Sequence, residues 1–151
     1  MLLSNTITHA NIAEYPIGSD ARLTPGELCS TPTAHRYPEQ INYCERDVVY
    51  EMKMEVFDLY RAAGYKLNPG DRNKYKIDHY IPLCAGGANT VENLWPQHYS
   101  IYAITDSIEE LACAKLKLGK LTQAKTVEIL KKVKNNLSLA PEVTKTLQAI
   151  R

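Results

Sequence analysis

The sequence has no long apolar run. No stretch approaches the roughly 20 consecutive apolar residues that a membrane-spanning helix needs, so we expect no membrane association. The chain also lacks a strong net charge, with a formal charge of +1 over 151 residues. Its 44% hydrophobic and 23% charged residues are typical of a folded protein. We therefore expect a single domain over residues 1–151, and nothing in the sequence demands more than a monomer.

The cysteines lack the CxxC spacing of zinc knuckles, which disfavours a structural zinc site. There are four of them, Cys29, Cys44, Cys84 and Cys113, and they allow three disulfide pairings. Because disulfides persist in oxidising compartments, we favour a secreted or periplasmic protein with two disulfides over one with four buried thiols. Residues 1–13 lack the basic start of a signal peptide, so this expectation rests on the cysteines.

Local sequence signals divide the chain into an irregular start and a mainly helical remainder. Prolines and glycines interrupt residues 1–43 and leave no room for a long periodic element. An apolar stripe predicts a helix over residues 46–63. Beyond it, the patterns predict two short strands and three helices, at 75–81, 91–95, 100–118, 122–135 and from Pro141 onward. The expected fold is α+β and mainly helical, with a hairpin-plus-helix unit at 75–118 and C-terminal helices within 122–151.

One segment combines several residues that can take part in catalysis: "YKIDHYIPLCAGGANTVENLWPQ", residues 75–97. Asp78 and His79 end a β-branched and aromatic run, and a Gly-Gly turn separates them from Asn93. Histidine titrates near neutral pH and can take a proton from a water that attacks a phosphate. Phosphodiester cleavage also needs positive charge, which a divalent cation supplies, and Asp78 is a natural oxygen ligand for Mg²⁺. Asn93 is placed to hold the loop by hydrogen bonds to backbone groups.

The stretch "DHYIPLCAGGANTVENLWPQ" resembles the HNH branch of the His-Me finger, or ββα-metal, endonucleases. More narrowly, it is similar to a bacterial secreted group with DH-x-IPL-x-x-GG-x-N and NLWPQ signatures. The upstream stretches "DARLTPGELC" and "RYPEQINYCERDV" are also similar to that group, so the resemblance covers about residues 20–130. It implies a metal-dependent endonuclease with a small ββα finger. The implied cofactor is a divalent metal, Mg²⁺ or Mn²⁺, and the implied partner is nucleic acid, with DNA as the first expectation.

The resemblance assigns roles position by position. His79 matches the general base, Asp78 matches the first metal ligand, and Asn93 matches the asparagine that steadies the loop. The third motif position departs from the family, because Tyr102 stands where a metal-binding His or Asn is usual. The expected replacement lies one helical turn further on, at Asp106.

Two further residues are candidates for the missing ligand position. Glu109 is the next carboxylate after Asp106 on the expected helix, and we include it among the metal ligands. His98 is a weaker candidate, because it precedes the helix. The departure at Tyr102 also leaves open a member of the family with weakened catalysis.

The same expected helix suggests how the cysteines pair. Cys113 lies seven residues after Asp106 and therefore faces the same way. If Asp106 faces the hairpin, as the resemblance implies, Cys113 does too, and the hairpin carries Cys84. We therefore expect the pairs Cys84–Cys113 and Cys29–Cys44, the second of which would tie down the irregular N-terminal segment.

A lysine-rich segment follows the expected finger. Residues 115–134 hold seven lysines against the single acid Glu128. Such a run forms either the solvated face of a helix or a rim that contacts phosphates. His-Me finger nucleases usually contact phosphates more than base edges, which predicts low sequence specificity. Lys115, Lys117 and Lys120 are the candidate nucleic-acid-binding residues.

Three other functions are alternatives. A non-catalytic nucleic-acid-binding domain would keep the finger as a scaffold, and the departure at Tyr102 favours it. A disulfide-stabilised secreted interaction protein would neither bind nor cleave nucleic acid. A metal-dependent hydrolase of smaller phosphodiesters would leave polymers intact.

Overall fold

The computed structural model describes residues 15–151, and the expectations for residues 1–14 lie outside that part of the chain. The fold is α+β, and about half of the described residues are helical. Within residues 15–151, the strands form two separate antiparallel hairpins. In chain order the elements are β1 (Ala34–Arg36), β2 (Ile41–Tyr43), α1 (Tyr50–Ala62), β3 (Tyr75–His79), β4 (Leu94–His98), α2 (Tyr99–Lys117), α3 (Gln123–Asn135) and α4 (Ala140–Ala149).

The segment before α1 is less irregular than expected, because β1 and β2 pair as a small hairpin. Each of these strands is three residues long. Tyr37 and Gln40, in the connecting turn, have positive φ angles of 68° and 58°. Glycine is the usual residue at such angles, and neither position has one, so the turn lacks the glycine signal that marks a hairpin.

Residues 27–29 lie along the loop of the second hairpin. The Cys29 N–H donates to the Gly86 carbonyl at 2.8 Å, and the Ala88 N–H donates to the Glu27 carbonyl at 2.9 Å. A disulfide joins Cys29 to Cys44, the residue that follows β2. These contacts hold the first hairpin and the loop between β3 and β4 together.

α1 begins four residues later than expected and buries one face. Val56, Phe57 and Tyr60 form a core cluster with Leu94 and Trp95 of β4. Each of these five side chains is at most 3% exposed, so their burial supplies much of the apolar contact beneath the second hairpin.

The second hairpin pairs Tyr75 with His98 and His79 with Leu94. β3 starts where expected and ends two residues earlier, whereas β4 lies three residues later than expected. The three residues before β4 form a 3₁₀ turn instead of a strand. That turn ends at Asn93, whose side chain bonds to backbone groups across the loop and so fixes where pairing can begin.

The loop between β3 and β4 requires glycine at position 87. A Cβ added to Gly87 would lie 1.8 Å from the Ile81 carbonyl oxygen, far inside van der Waals contact. The Gly87 N–H donates to the Pro82 carbonyl at 3.0 Å. The Gly-Gly pair of the sequence motif thus lets the loop fold back against the end of β3.

Three helices follow the second hairpin. The Cys84–Cys113 disulfide joins α2 to the loop. Thr122 caps α3, since its hydroxyl accepts a hydrogen bond from the Lys125 N–H at 3.2 Å. Buried apolar side chains of these three helices form a second cluster, comprising Ile108, Ala112, Leu130, Val133, Ala140 and Leu147. Within residues 15–151, no helix is both long and apolar enough to cross a membrane.

Candidate functional site

His79 ends β3 and is only 3% exposed. Its Nε2 lies 3.0 Å from the Oδ1 of Asn89, in the loop that follows β3. Burial is the largest influence and lowers the pKa of His79, and the charge of Arg46 also lowers it, while the bond to Asn89 acts in the opposite direction. The imidazole is therefore neutral at neutral pH, the form that can accept a proton.

A buried lysine holds Asp78 and the His79 backbone together. Lys134, on the core face of α3, is fully buried. Its Nζ donates to the Asp78 Oδ2 at 2.9 Å and to the His79 carbonyl at 2.7 Å. The Oε2 of Glu109, on α2, forms an ion pair with the same Nζ at 2.9 Å. Burial acts to lower the pKa of Lys134, but the carboxylates of Asp78 and Glu109 together raise it, so the lysine is charged.

A second lysine lies on the other side of Asp78. The Nζ of Lys76, on β3, lies 2.7 and 2.9 Å from the two carboxylate oxygens of Asp106. It also lies 3.5 Å from the Asp78 Oδ1. The Lys76 side chain is 36% exposed, in contrast to Lys134. Asp78 therefore directs one oxygen toward a buried ammonium group and the other toward a partly exposed one.

The three expected metal ligands thus lie in one alternating line of charges. Its order is Asp106, Lys76, Asp78, Lys134 and Glu109, and we call it the carboxylate–lysine row. Three carboxylates and two ammonium groups leave a formal charge of −1. Burial raises the pKa of Glu109, and the nearby Lys134 opposes that rise. Helix α2, strand β3 and helix α3 all contribute to the row, so it forms only when the three are packed.

Asn93 lies inside the loop and is fully buried. Its Oδ1 accepts from the Ile81 N–H at 2.9 Å, and its Nδ2 donates to the carbonyls of Ile81 and Ala88, each at 2.9 Å. One side chain therefore satisfies three backbone groups that would otherwise be buried without partners. The arrangement fixes the loop directly after His79 and makes Asn93 a supporting residue rather than one that points at a substrate.

Among the described residues, Asp78 and Asp106 are the carboxylates that could hold a divalent cation. Within residues 15–151, no three or more Asp, Glu, His or Cys side chains converge in a way that would hold a metal. The carboxylates of Asp78 and Asp106, however, already hold one cationic group between them, the partly exposed ammonium of Lys76. Mg²⁺ keeps several waters and often takes only one or two carboxylates, so this pair suits it. Glu109 faces Lys134 and is less suited.

Tyr102 and His98 are engaged in other contacts. The Nζ of Lys76 lies 4.7 Å from the centroid of the Tyr102 ring, so the tyrosine supports the lysine by a cation–π contact. His98 is the N-cap of α2, where its Nδ1 accepts from the Ser100 N–H. Its ring is stacked on Tyr15, with the centroids 4.0 Å apart.

The three candidate nucleic-acid-binding lysines lie at and beyond the C-terminal end of α2. Lys117 and Lys120 are exposed, whereas Lys115 donates to the Ile150 carbonyl at 2.6 Å. At 1.5 Å per residue, Lys117 lies about 17 Å along the helix from Asp106. These lysines form a surface separate from the carboxylate–lysine row.

Four residues that sequence reasoning did not select contribute to the site: Lys76, Asn89, Arg46 and Lys134. A signal for one of them was present. Lys134 follows Leu130 by four residues and Val127 by seven, so it falls on the apolar face of α3, where a lysine needs a buried partner. The contacts of Lys76 depend on the pairing of β3, and those of Arg46 and Asn89 depend on how the loops fold. Asn89 is the asparagine of the GG-x-N signature, but the sequence alone gave it no role.

Comparison of the chain with protein-family models, with curated proteins and with solved structures gave no match in any of the three. The geometry and chemistry of the described residues must therefore carry the functional argument.

Proposed function

We propose that this protein is a metal-dependent endonuclease of the HNH, or His-Me finger, type that hydrolyses phosphodiester bonds in nucleic acid. The observation that supports it most is the juxtaposition at the end of β3. A neutral, buried His79 follows Asp78, whose Oδ1 shares the Lys76 ammonium with Asp106 on the following helix. Hairpin β3–β4 and helix α2 would then be the two strands and the helix of a ββα finger.

His79 is the general base in this proposal. Its neutral imidazole would accept a proton from the water that attacks the phosphate. Asn93 fixes the loop that follows His79, and Lys134 donates to the His79 carbonyl. These contacts hold the backbone of His79 and thereby the direction of its ring. A divalent cation held by Asp78 and Asp106, Mg²⁺ or Mn²⁺, would neutralise the negative charge that develops on the phosphate.

The proposed substrate is DNA, cleaved with low sequence specificity. The exposed Arg46 lies close enough to His79 to act on its charge, which suits a phosphate-contacting residue beside the base. Lys117 and Lys120 would extend the phosphate contacts along the surface, with Lys115 as a weaker contributor. Neutralising these three lysines together is expected to weaken DNA binding and to flatten its salt dependence. Unchanged affinity at low salt would exclude this surface from the DNA interface.

We further propose that the protein acts outside the cytoplasm, secreted or periplasmic. The Cys29–Cys44 and Cys84–Cys113 disulfides support this, because such bonds persist in oxidising compartments.

The test is a plasmid-nicking assay with Mg²⁺ or Mn²⁺, with and without EDTA. We expect metal-dependent nicking by the wild type and its loss in His79→Ala. His35→Ala is a matched control, since His35 is an exposed histidine on β1, and it should nick normally. Equal nicking by His79→Ala and the wild type would reject His79 as the base.

A second candidate function is nucleic-acid binding without cleavage. The observation that favours it is the neutralisation of Asp78 by two lysines, which weakens its hold on a metal. In that case wild type and His79→Ala would both shift a plasmid on a gel, and neither would nick it in any metal.

A further inference from the structure

Asn89 bridges His79 to a fixed backbone group. Its Nδ2 donates to the Glu45 carbonyl at 2.6 Å, while its Oδ1 lies 3.0 Å from the Nε2 of His79. The Glu45 carbonyl is itself held in place. Glu45 directly follows Cys44 of the Cys29–Cys44 disulfide, and the Glu45 N–H donates to the Thr33 hydroxyl at 3.3 Å.

The bridge determines which way the Asn89 amide points. A backbone carbonyl accepts hydrogen bonds and cannot donate them, so the amide nitrogen of Asn89 must face Glu45. The amide oxygen then faces His79. Because that oxygen is only an acceptor, the Nε2 of a neutral His79 has to carry the proton.

The other ring nitrogen of His79 is left with its lone pair. Within residues 15–151, no hydrogen bond reaches the His79 Nδ1. Charged groups that act on the ring are Arg46, Asp78 and Lys134, and none of them occupies that nitrogen with a hydrogen bond.

We propose that Asn89 is a positioning residue that fixes His79 as the Nε2–H tautomer and so makes Nδ1 the nitrogen that accepts the proton from water. The second half of this proposal rests on the proposed nuclease function. Asn89 does not touch the reacting atoms; it acts through the orientation and tautomer of the base. The hydrogen bonds to Nε2 and to Glu45 would be formed before any substrate arrives.

The decisive measurement is the tautomer of His79 in the free protein at neutral pH. A long-range ¹H–¹⁵N correlation spectrum separates protonated from unprotonated imidazole nitrogens, and His79→Ala identifies the His79 signals. We expect Nε2 protonated and Nδ1 unprotonated in the wild type. Asn89→Leu, which removes the acceptor, should give a mixture of tautomers, whereas Asn89→Asp, which keeps an oxygen opposite Nε2, should retain the Nε2–H form.

Nicking activity supplies the second readout. Loss of one orienting hydrogen bond is expected to lower kcat/KM of Asn89→Leu by about tenfold, which corresponds to about 1.4 kcal/mol. Thr90→Val is the matched control, because Thr90 lies in the same loop and bonds to Glu27 instead of His79. It should leave both the tautomer and the activity unchanged.

Each outcome is decisive. A wild-type His79 protonated at Nδ1 would overturn the proposal even if no Asn89 variant folds. An Asn89→Leu spectrum identical to that of the wild type would also overturn it, since another group would then fix the ring. If the expected tautomer depends on Asn89 but the wild type never cleaves DNA, the positioning role stands and the proposed nuclease function fails.

Discussion

Replacing Lys134 by methionine is expected to remove about 3–5 kcal/mol of folding free energy, the typical loss when one partner of a buried charge pair is deleted. The reason lies in what remains. Methionine fills much of the lysine volume, but the Asp78 Oδ2 and the Glu109 Oε2 each lose an ammonium group 2.9 Å away. The His79 carbonyl loses its 2.7 Å hydrogen bond as well. A loss of this size is a large part of the 5–15 kcal/mol that stabilises an ordinary domain.

The destabilisation should depend on pH through Glu109. Burial already raises the pKa of this carboxyl, and Lys134 is the group that opposes the rise, so the variant should raise it further. A carboxyl whose folded pKa exceeds its unfolded value binds protons more tightly in the folded state. Stability is then greatest below the unfolded pKa and declines as pH rises through the folded pKa. Lys134→Met should therefore be less destabilising at about pH 5 than at about pH 8.

Urea unfolding at both pH values measures this effect. The single tryptophan, Trp95, is fully buried and reports unfolding by fluorescence. Lys132→Met is the matched control, since Lys132 is exposed on the same helix and should change stability by no more than about 0.5 kcal/mol. Adding Glu109→Gln to Lys134→Met should recover part of the lost folding free energy, because it removes a carboxylate that the variant leaves without its ammonium partner. A Lys134→Met effect no larger than that of the control, or equal at both pH values, would refute the argument.

Three other predictions concern Asn93, the Cys84–Cys113 disulfide and the Asp20–Arg22 ion pair. Asn93→Ala should cost about 3 kcal/mol or more in the same urea experiment, because three backbone groups lose a buried partner; a loss below about 1 kcal/mol would contradict its supporting role. Replacing Cys84 and Cys113 by serine opens a link across 29 residues and should cost about 3.5 kcal/mol, checked by thermal unfolding, where an unchanged Tm would contradict it. The hydrogen bond from Arg22 lowers the pKa of Asp20 to about 2, below its unfolded value. The ionised Asp20 therefore stabilises the folded state fully above about pH 4, and this contribution is lost as pH falls toward 2. Since Arg22 is 77% exposed, Asp20→Asn should cost only about 1 kcal/mol at neutral pH and nothing in strong acid, and an equal effect at both would count against the pair.

Local signals placed the helices well, because caps and stops act within a few residues. Thr122 caps α3 as expected, and Gly119, with a φ of 70°, lies just beyond the end of α2. Strand β4 was placed three residues too early. Its start is set by Asn93, whose side chain bonds across the loop to Ile81, a contact that sequence periodicity does not register. The β1–β2 hairpin was missed for a related reason: its turn places Tyr37 at a positive φ without a glycine to mark it.

The sequence indicated which acids lie near one another, but it did not indicate the lysines that neutralise them. Asp78, Asp106 and Glu109 do come together, because β3 and one face of α2 present them to a common space. That two lysines would separate them depends on packing. Lys76 reaches its position only from the pairing of β3, and Lys134 only from the docking of α3. The sequence alone shows which acidic residues could bind a cation. The fold determines that the nearest cationic groups are the ammonium groups of Lys76 and Lys134.

The two lysines of the row differ in how easily they can be displaced, and this decides what the site can bind. Lys134 has no exposed surface, so moving its charge would require opening the core. Lys76 is 36% exposed, and exchanging its carboxylate contacts for water costs no more than about 1 kcal/mol. With Lys76 turned outward, three carboxylates and Lys134 carry a charge of −2, which matches one divalent cation. With Lys76 in place the charge is −1, and the row is nearly balanced without a metal. A divalent cation that displaced Lys76, as the proposed function requires, would lie between Asp78 and Asp106.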